Sequence, residues 1–471
     1  MISFEYWYTI SEHYGVYIAF LVLSIGIHYL LFRKQVYNIF DPFLLPVITN
    51  VFSVALVFFM YWMDDIKVYY FKSFVLTQTS LYIGFLVTIN SLRKRLKGRV
   101  IASSTAPKLS DSGSTVMRVK IFLFVAFVFY MLSIVFIYSL KGIPLLRLSR
   151  LGAFANSGGL GIIERINEVS LFFVVFGGIA LLYLIYRKFG SIRPNRRNIN
   201  TLTYLFLGFG FLLITLFLSG SKGSFLVVFV TVFVFAYVFI YRGRWKGIGF
   251  FGGKAGMAAI VVLLIAAFFI IVIQRGGTDT GAASNAIMHL ANRFVYYGDI
   301  YVNAYISDTI KELSGTNPFV GLFGGFLSTF RLFPVDDLYV SMGHQFTLIL
   351  YPELEIMTGP NPRHNVIGLH YFGFYFSAVY SFILGIGIAF ARYHLLKPRT
   401  INKDFDLSLF SMFFAWRLLT IDSDIELALS RIASLLIVAP FIIFLSRMIY
   451  GALANERCDS PFRTFGVPTK P

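Results

Sequence analysis

The residue types able to do chemistry gather in one stretch, 274–365, between two long apolar segments. It holds Arg275, Arg293, Arg331 and Arg363, three histidines (His289, His344, His364) and the aromatic run "RFVYYGDIYVNAY". A guanidinium fork matches phosphate oxygens two at a time. An imidazole can take a proton near neutral pH. Carboxylates and aromatic rings suit the hydroxyls and ring faces of sugars. Asp299, between Tyr297 and Tyr301 and six residues after Arg293, combines the last two. The same stripe, Phe294, Tyr297, Tyr301 and Tyr305 at steps of three and four, also reads as the packed face of an amphipathic helix. His364 directly follows Arg363, precedes Asn365 and stands where the loop meets the next apolar run, so a base and a capping or interfacial histidine are both open readings.

The elements that position these residues are membrane spans. The chain of 471 residues is 57% hydrophobic and only 14% charged, with 54 Phe and 28 Tyr, more aromatic surface than one soluble core hides. Apolar runs of bilayer length select helices. The fold class is therefore all-α, a polytopic transmembrane bundle of about 11 spans with one large outer, periplasmic loop containing short helices. The runs lie at 14–32, 42–62, 70–92, 119–139, 168–186, 202–219, 224–241, 256–273, 366–391, 405–421 and 432–450. This divides the chain into 1–273, the loop 274–365, and 366–471. The start, "MISFEYWYTISEHYG", has no basic n-region, so the first run is expected to remain as a helix.

The net charge of +18 has a topological origin. One alternate set of connectors, with Lys120 and Arg447 at flanking helix ends, holds 27 of the 41 Lys and Arg and six of the 23 acids. Lys and Arg mark the cytoplasmic side. The N-terminus is then outside, the C-terminus inside, and 274–365 outside. This accounts for the charge without nucleic acid. Cys458 is the sole cysteine, which excludes an intramolecular disulfide and a cysteine-based zinc site. No histidine pair has the spacing of a metalloprotease helix. "SGSKGS" lacks the full phosphate-loop pattern, although Lys222 within it is placed to touch an anion.

Basic residues outside the positive-inside set carry more information. Arg147 and Arg150 are one helical turn apart, Arg275 ends a span, and Arg417 lies within the apolar run "FSMFFAWRLLTI". Any one of them is explained by snorkelling to headgroups. As a group at one membrane face they suit a lipid-linked pyrophosphate.

This layout resembles the O-antigen polymerase (Wzy) family, related to the O-antigen ligases. Arg147 with Gly158 is similar to the arginine–glycine spacing of such polymerases; Arg293 has Ala304 at the matching place. "SGSKGSFLVVFV" resembles the small–basic–Gly turn before a helix, and "RHNVIGLHYFGFYFSAVYSF" resembles the His-Asn helix start of the ligases, with Phe372 where an acidic residue is common. The resemblance implies an inner-membrane glycosyltransferase without cofactor or metal, acting on undecaprenyl-pyrophosphate-linked oligosaccharide, with membrane lipid, a chain-length regulator and a flippase as partners. Together with the residues read above, the candidate site is His364 and Asp299 for catalysis, with Arg147, Arg150, Lys222, Arg275, Arg293, Arg363, Arg417, Tyr297 and Tyr301 binding pyrophosphate and sugar. The alternatives are an O-antigen ligase and a flippase or transporter. Few buried charges and no internal repeat favour an enzyme over a transporter.

Overall fold

The structure is a computed structural model. It describes residues 2–37, 40–102, 113–146, 161–189, 199–219, 222–240, 296–315, 317–332, 340–352, 359–397 and 405–458. Among these there is no strand. The helices are α1 (Ile2–Glu12), α2 (Tyr14–Phe32), α3 (Leu44–Trp62), α4 (Val68–Ala102), α5 (Gly113–Lys141), α6 (Gly161–Phe189), α7 (Ile199–Leu218), α8 (Lys222–Phe235), α9 (Pro318–Thr329), α10 (Met342–Leu350), α11 (His364–Leu396), α12 (Phe405–Leu418) and α13 (Ile425–Cys458).

Eight of these helices are long and apolar enough to cross a membrane: within α2 to α7, α11 and α13. Each overlaps an expected span. The remaining three are not among these eight. Expected span 256–273 lies outside the described residues. The run at 224–241 is α8 followed by a π-helical turn, Ala236–Ile240. The run at 405–421 is α12, only 14 residues, about 21 Å of helix.

α11 is two helices folded against each other. At Gly373 the backbone takes φ 69° and ψ −173°, a conformation open to glycine and strained for any residue with a Cβ. Gly368 and Ser377 would be about 14 Å apart along a straight helix. Instead, a Cβ built on Gly368 would lie 3.1 Å from the Ser377 Cβ, and the rings of Phe372 and Tyr380 are 5.1 Å apart. Residues 364–372 therefore run one way and 374–396 run back. The first half runs against α4, with Asn365 at Thr77 and Phe374 beside Tyr69. The second half runs with α4, and Gly84 and Gly385 let the two backbones touch.

Part of the 274–365 stretch packs inside the bundle. Residues 296–306 form a continuous helical piece of 3-10, α and π turns inserted among α1, α3 and α4. Ile300, Tyr301, Val302, Ala304 and Tyr305 are buried. The glycine-rich apolar piece that follows is α9, capped by the Asn317 side chain and packed on α13. Elsewhere, Arg392 pairs with buried Asp41 and lies 5.3 Å from the ring centroids of both Tyr37 and Phe43. Arg118 and Arg447 each reach Asp406 at 2.9 Å.

Candidate functional site

Reversal at Gly373 carries the first residues of α11 into the middle of the bundle. Ser53 is nine residues from either end of α3, and Thr77 nine residues from the start of α4, about 14 Å of helix in each case. Arg363, His364 and Asn365 meet the bundle at that level.

Arg363 is 2% exposed. Its NH1 donates to Ser53 Oγ at 2.7 Å and to the Thr49 and Tyr297 carbonyls at 3.2 Å. Its NH2 donates to Asn50 Oδ1 at 2.8 Å and to Thr49 Oγ1 at 3.5 Å, and stands 3.9 Å from Asp422 Oδ2. Asn50 Nδ2 donates to that same Asp422 oxygen at 2.8 Å. Burial pushes the Asp422 carboxyl up, and the Arg363 charge pulls it back. Five of the six contacts of Arg363 are to uncharged protein groups. The guanidinium thus ties α3, the 296–306 piece, the 419–424 turn and the start of α11 together.

Asn365 extends the network. Its amide donates to Thr77 Oγ1 at 2.8 Å and Gln78 Oε1 at 3.3 Å, and its carbonyl accepts from the Tyr301 hydroxyl at 2.6 Å. His364 is 1% exposed. Its backbone amide donates to the Asp422 carbonyl at 3.0 Å, and its Nδ1 lies 3.3 Å from the same oxygen. The Thr77 carbonyl also faces the ring. Three buried atoms of this corner make no hydrogen bond: Arg363 Nε, His364 Nε2 and Asp422 Oδ1.

Asp299 keeps some exposure at its surface, beside Gly298, which packs on Leu56. Burial of the carboxyl pushes its pKa up to about 7, against the Ile300 amide and the Arg363 charge, which lower it. Beyond it, Tyr301 and Tyr305 stack toward the α4 start, where the Tyr305 and Tyr70 rings lie 4.9 Å apart. Asp308 closes the piece on Lys67, Tyr70 and Lys311; hydrogen bonds from the first two hold its carboxyl low.

Of the residues singled out in the sequence, Arg363, His364, Asp299, Tyr297 and Tyr301 come together here. Tyr297 contributes its carbonyl, and Tyr301 its hydroxyl. Arg417 sits apart from the Arg363 network, paired with Glu168. Lys222 begins α8, and its side chain lies outside the described residues. Arg147, Arg150, Arg275 and Arg293 also lie outside them.

Sequence reasoning missed Thr49, Asn50, Ser53, Thr77, Gln78 and Asp422. For all but Asp422 the signal was there: polar side chains within the apolar runs "PVITNVFSV" and "VLTQTS", with Ser53 four and three residues after Thr49 and Asn50, on one helix face. The expectation of few buried charges is corrected. Asp41, Lys141, Arg363, Arg392, Asp406, Arg417, Asp422 and Glu426 are all buried, because each charge meets an opposite or polar group across a helix contact that sequence spacing does not reveal. Among the described residues no group of His, Cys, Asp and Glu is arranged to hold a metal ion. No family model, no curated protein and no solved structure matches this chain.

Proposed function

We propose that the chain is a membrane glycosyltransferase that joins undecaprenyl-pyrophosphate-linked oligosaccharide repeats into a surface polysaccharide such as O-antigen. The hydroxyl of an acceptor repeat attacks the anomeric carbon of the donor glycan. A new glycosidic C–O bond forms, the bond from the anomeric carbon to the pyrophosphate breaks, and undecaprenyl pyrophosphate leaves with the electron pair. A protein base takes the hydroxyl proton. The observation that carries this reading is the polar corner at the start of α11. A carboxyl that burial pushes up to about 7, Asp299, stands beside two tyrosines and a buried arginine at mid-bundle.

Asp299 is the base in this reading. It is poised at neutral pH and keeps the exposure that His364 lacks. His364 holds the corner to the 419–424 turn. Arg363 fixes the geometry, and neutralising the leaving pyrophosphate falls to the other arginines, Arg147, Arg150, Arg275, Arg293 and Arg417, with Lys222. The topology that goes with it has 11 spans, the N-terminus outside and the C-terminus inside a bacterial inner membrane, with 274–365 opening outward. The surface glycan of a strain lacking the protein tests this. A core carrying a single repeat supports the polymerase. A core carrying none points to ligation or flipping.

One observation favours a second reading. A half-helix that begins inside the bundle and reverses at a glycine is how transporters build a substrate site from discontinuous helices. A transporter of the same lipid-linked glycan would move it without cleaving a bond, and undecaprenyl pyrophosphate would not be released.

A further inference from the structure

A second charged cluster lies outside the Arg363 network, where α6, α12 and α13 meet. Glu168 on α6 receives Arg417 NH2 from α12, and Arg431 Nε from α13 stands 3.3 Å away. Both cations address one oxygen, Oε1. Arg417 is 7% exposed, its guanidinium 4.4 Å from the Trp416 ring centroid and 4.9 Å from that of Phe413. Its Nε is buried with no hydrogen bond. The Glu168 and Arg431 side chains remain 30% and 35% exposed. The nearby Asp424 feels Arg431, but its carboxylate accepts from the Leu427 amide at the start of α13.

Charged groups on spanning helices face water or a polar partner, because hydrocarbon solvates them poorly. Two guanidinium groups share the one carboxylate oxygen of Glu168, and the second carboxylate near Arg431, Asp424, is engaged by the Leu427 amide. Arg417 Nε and the terminal nitrogens of Arg431 are donors that Glu168 does not use. Planar, rigid donors of this kind match the oxygens of a phosphate. Rings of Trp416 and Phe413 hold Arg417 in place without neutralising it.

We propose that Glu168, Arg417 and Arg431 form the seat of the diphosphate of an amphiphilic lipid, with Glu168 occupying the seat when no lipid is bound. The identification of that lipid as the polyprenyl-linked substrate rests on the function proposed above. Glu168 competes with the ligand, so its removal strengthens binding while removal of Arg431 weakens it. That opposition of signs separates a ligand seat from a structural ion pair.

The test is binding of farnesyl diphosphate to the full chain in detergent, read by thermophoresis. Arg431→Gln is expected to weaken binding by about tenfold or more, the loss of one charge-assisted hydrogen-bond pair. Arg431→Lys is expected to restore part of it, since an ammonium lacks the fork. Glu168→Gln is expected to tighten binding by about threefold or more. Unchanged binding in Arg431→Gln and Glu168→Gln, or weakened binding in both, overturns the seat. Inorganic pyrophosphate binding as tightly as farnesyl diphosphate overturns its lipid character. Displacement by phosphatidylglycerol at equal concentration overturns the substrate assignment and marks a phospholipid headgroup site. Binding is read without turnover, so the two proposals fail separately. Polymer formation with flat binding sinks only the seat, and the predicted binding pattern without polymer sinks only the reaction.

Discussion

Replacing Arg363 by Met should unfasten the bundle. The substitution keeps an unbranched apolar stem that ends about where the guanidinium begins, and removes the donors to Ser53, Asn50, Thr49 and Tyr297. It also leaves the Asp422 carboxyl buried at 1% exposure without its cation. Stripping one partner from a buried pair costs about 3–5 kcal/mol. Against a typical total stability of about 5–15 kcal/mol, that is a large share. Asp422→Asn in the same chain removes the stranded charge, so the double variant should recover about 1–3 kcal/mol relative to the sum of the singles. The pH dependence has a definite sign. Burial already raises the folded-state pKa of Asp422 above its ordinary value, and without Arg363 it rises further. The folded state then holds a proton that the unfolded chain has released. Stability falls as pH rises through the interval between the two values, and the deficit of Arg363→Met shrinks on acidification. The assay is an SDS-unfolding titration of the purified chain in micelles at several pH values. A loss below about 1 kcal/mol, the scale of a surface ion pair, or strict additivity of the two substitutions, would refute the network.

Gly373→Ala should cost about 1–3 kcal/mol in the same titration, and Gly373→Asn no less. The ψ of −173° lies outside the left-handed helical region that asparagine tolerates; full stability in either variant contradicts the reversal. Asp299→Asn should lower turnover by about 10²–10⁴-fold. In the native chain the carboxyl must be ionised to act, so activity should fall below the pKa of about 7, and that acidic limb should be absent in the variant; a native-like pH profile in Asp299→Asn removes it as base. In a chain whose Cys458 is replaced, Ser314→Cys should react with an impermeant thiol reagent in intact cells and Ser103→Cys should not; the reverse pattern inverts the topology.

The spans were readable because hydropathy averages over many residues. α2, α3 and α7 begin and end within a few residues of the apolar runs. What hydropathy cannot see is direction. "LHYFGFYFSA" is apolar on both sides of Gly373, so the run looks continuous while the backbone reverses within it. For the same reason Arg363 and His364 read as boundary residues, yet they lie mid-bundle. The grouping of Asp299, Tyr297 and Tyr301 with Arg363 and His364 was partly legible, because all five lie in one stretch rich in functional side chains. Their partners were not. Asn50, Thr77 and Asp422 are separated from Arg363 or Asn365 by 313, 288 and 59 positions, and only packing brings them together. The aromatic stripe 297–305 was correctly helical, but a π turn at Val302–Ile306 shifts its period, so Tyr301 points to Asn365 while Tyr305 stacks on Tyr70.

The most direct test of the central claim is reconstitution. The purified chain, in micelles or vesicles, is given undecaprenyl-pyrophosphate-linked repeats and no nucleotide sugar. The account predicts a ladder of lipid-linked polymers, with one undecaprenyl pyrophosphate released for each repeat joined. Intact repeats that merely exchange between vesicle leaflets, with no bond cleaved and no undecaprenyl pyrophosphate formed, would contradict it.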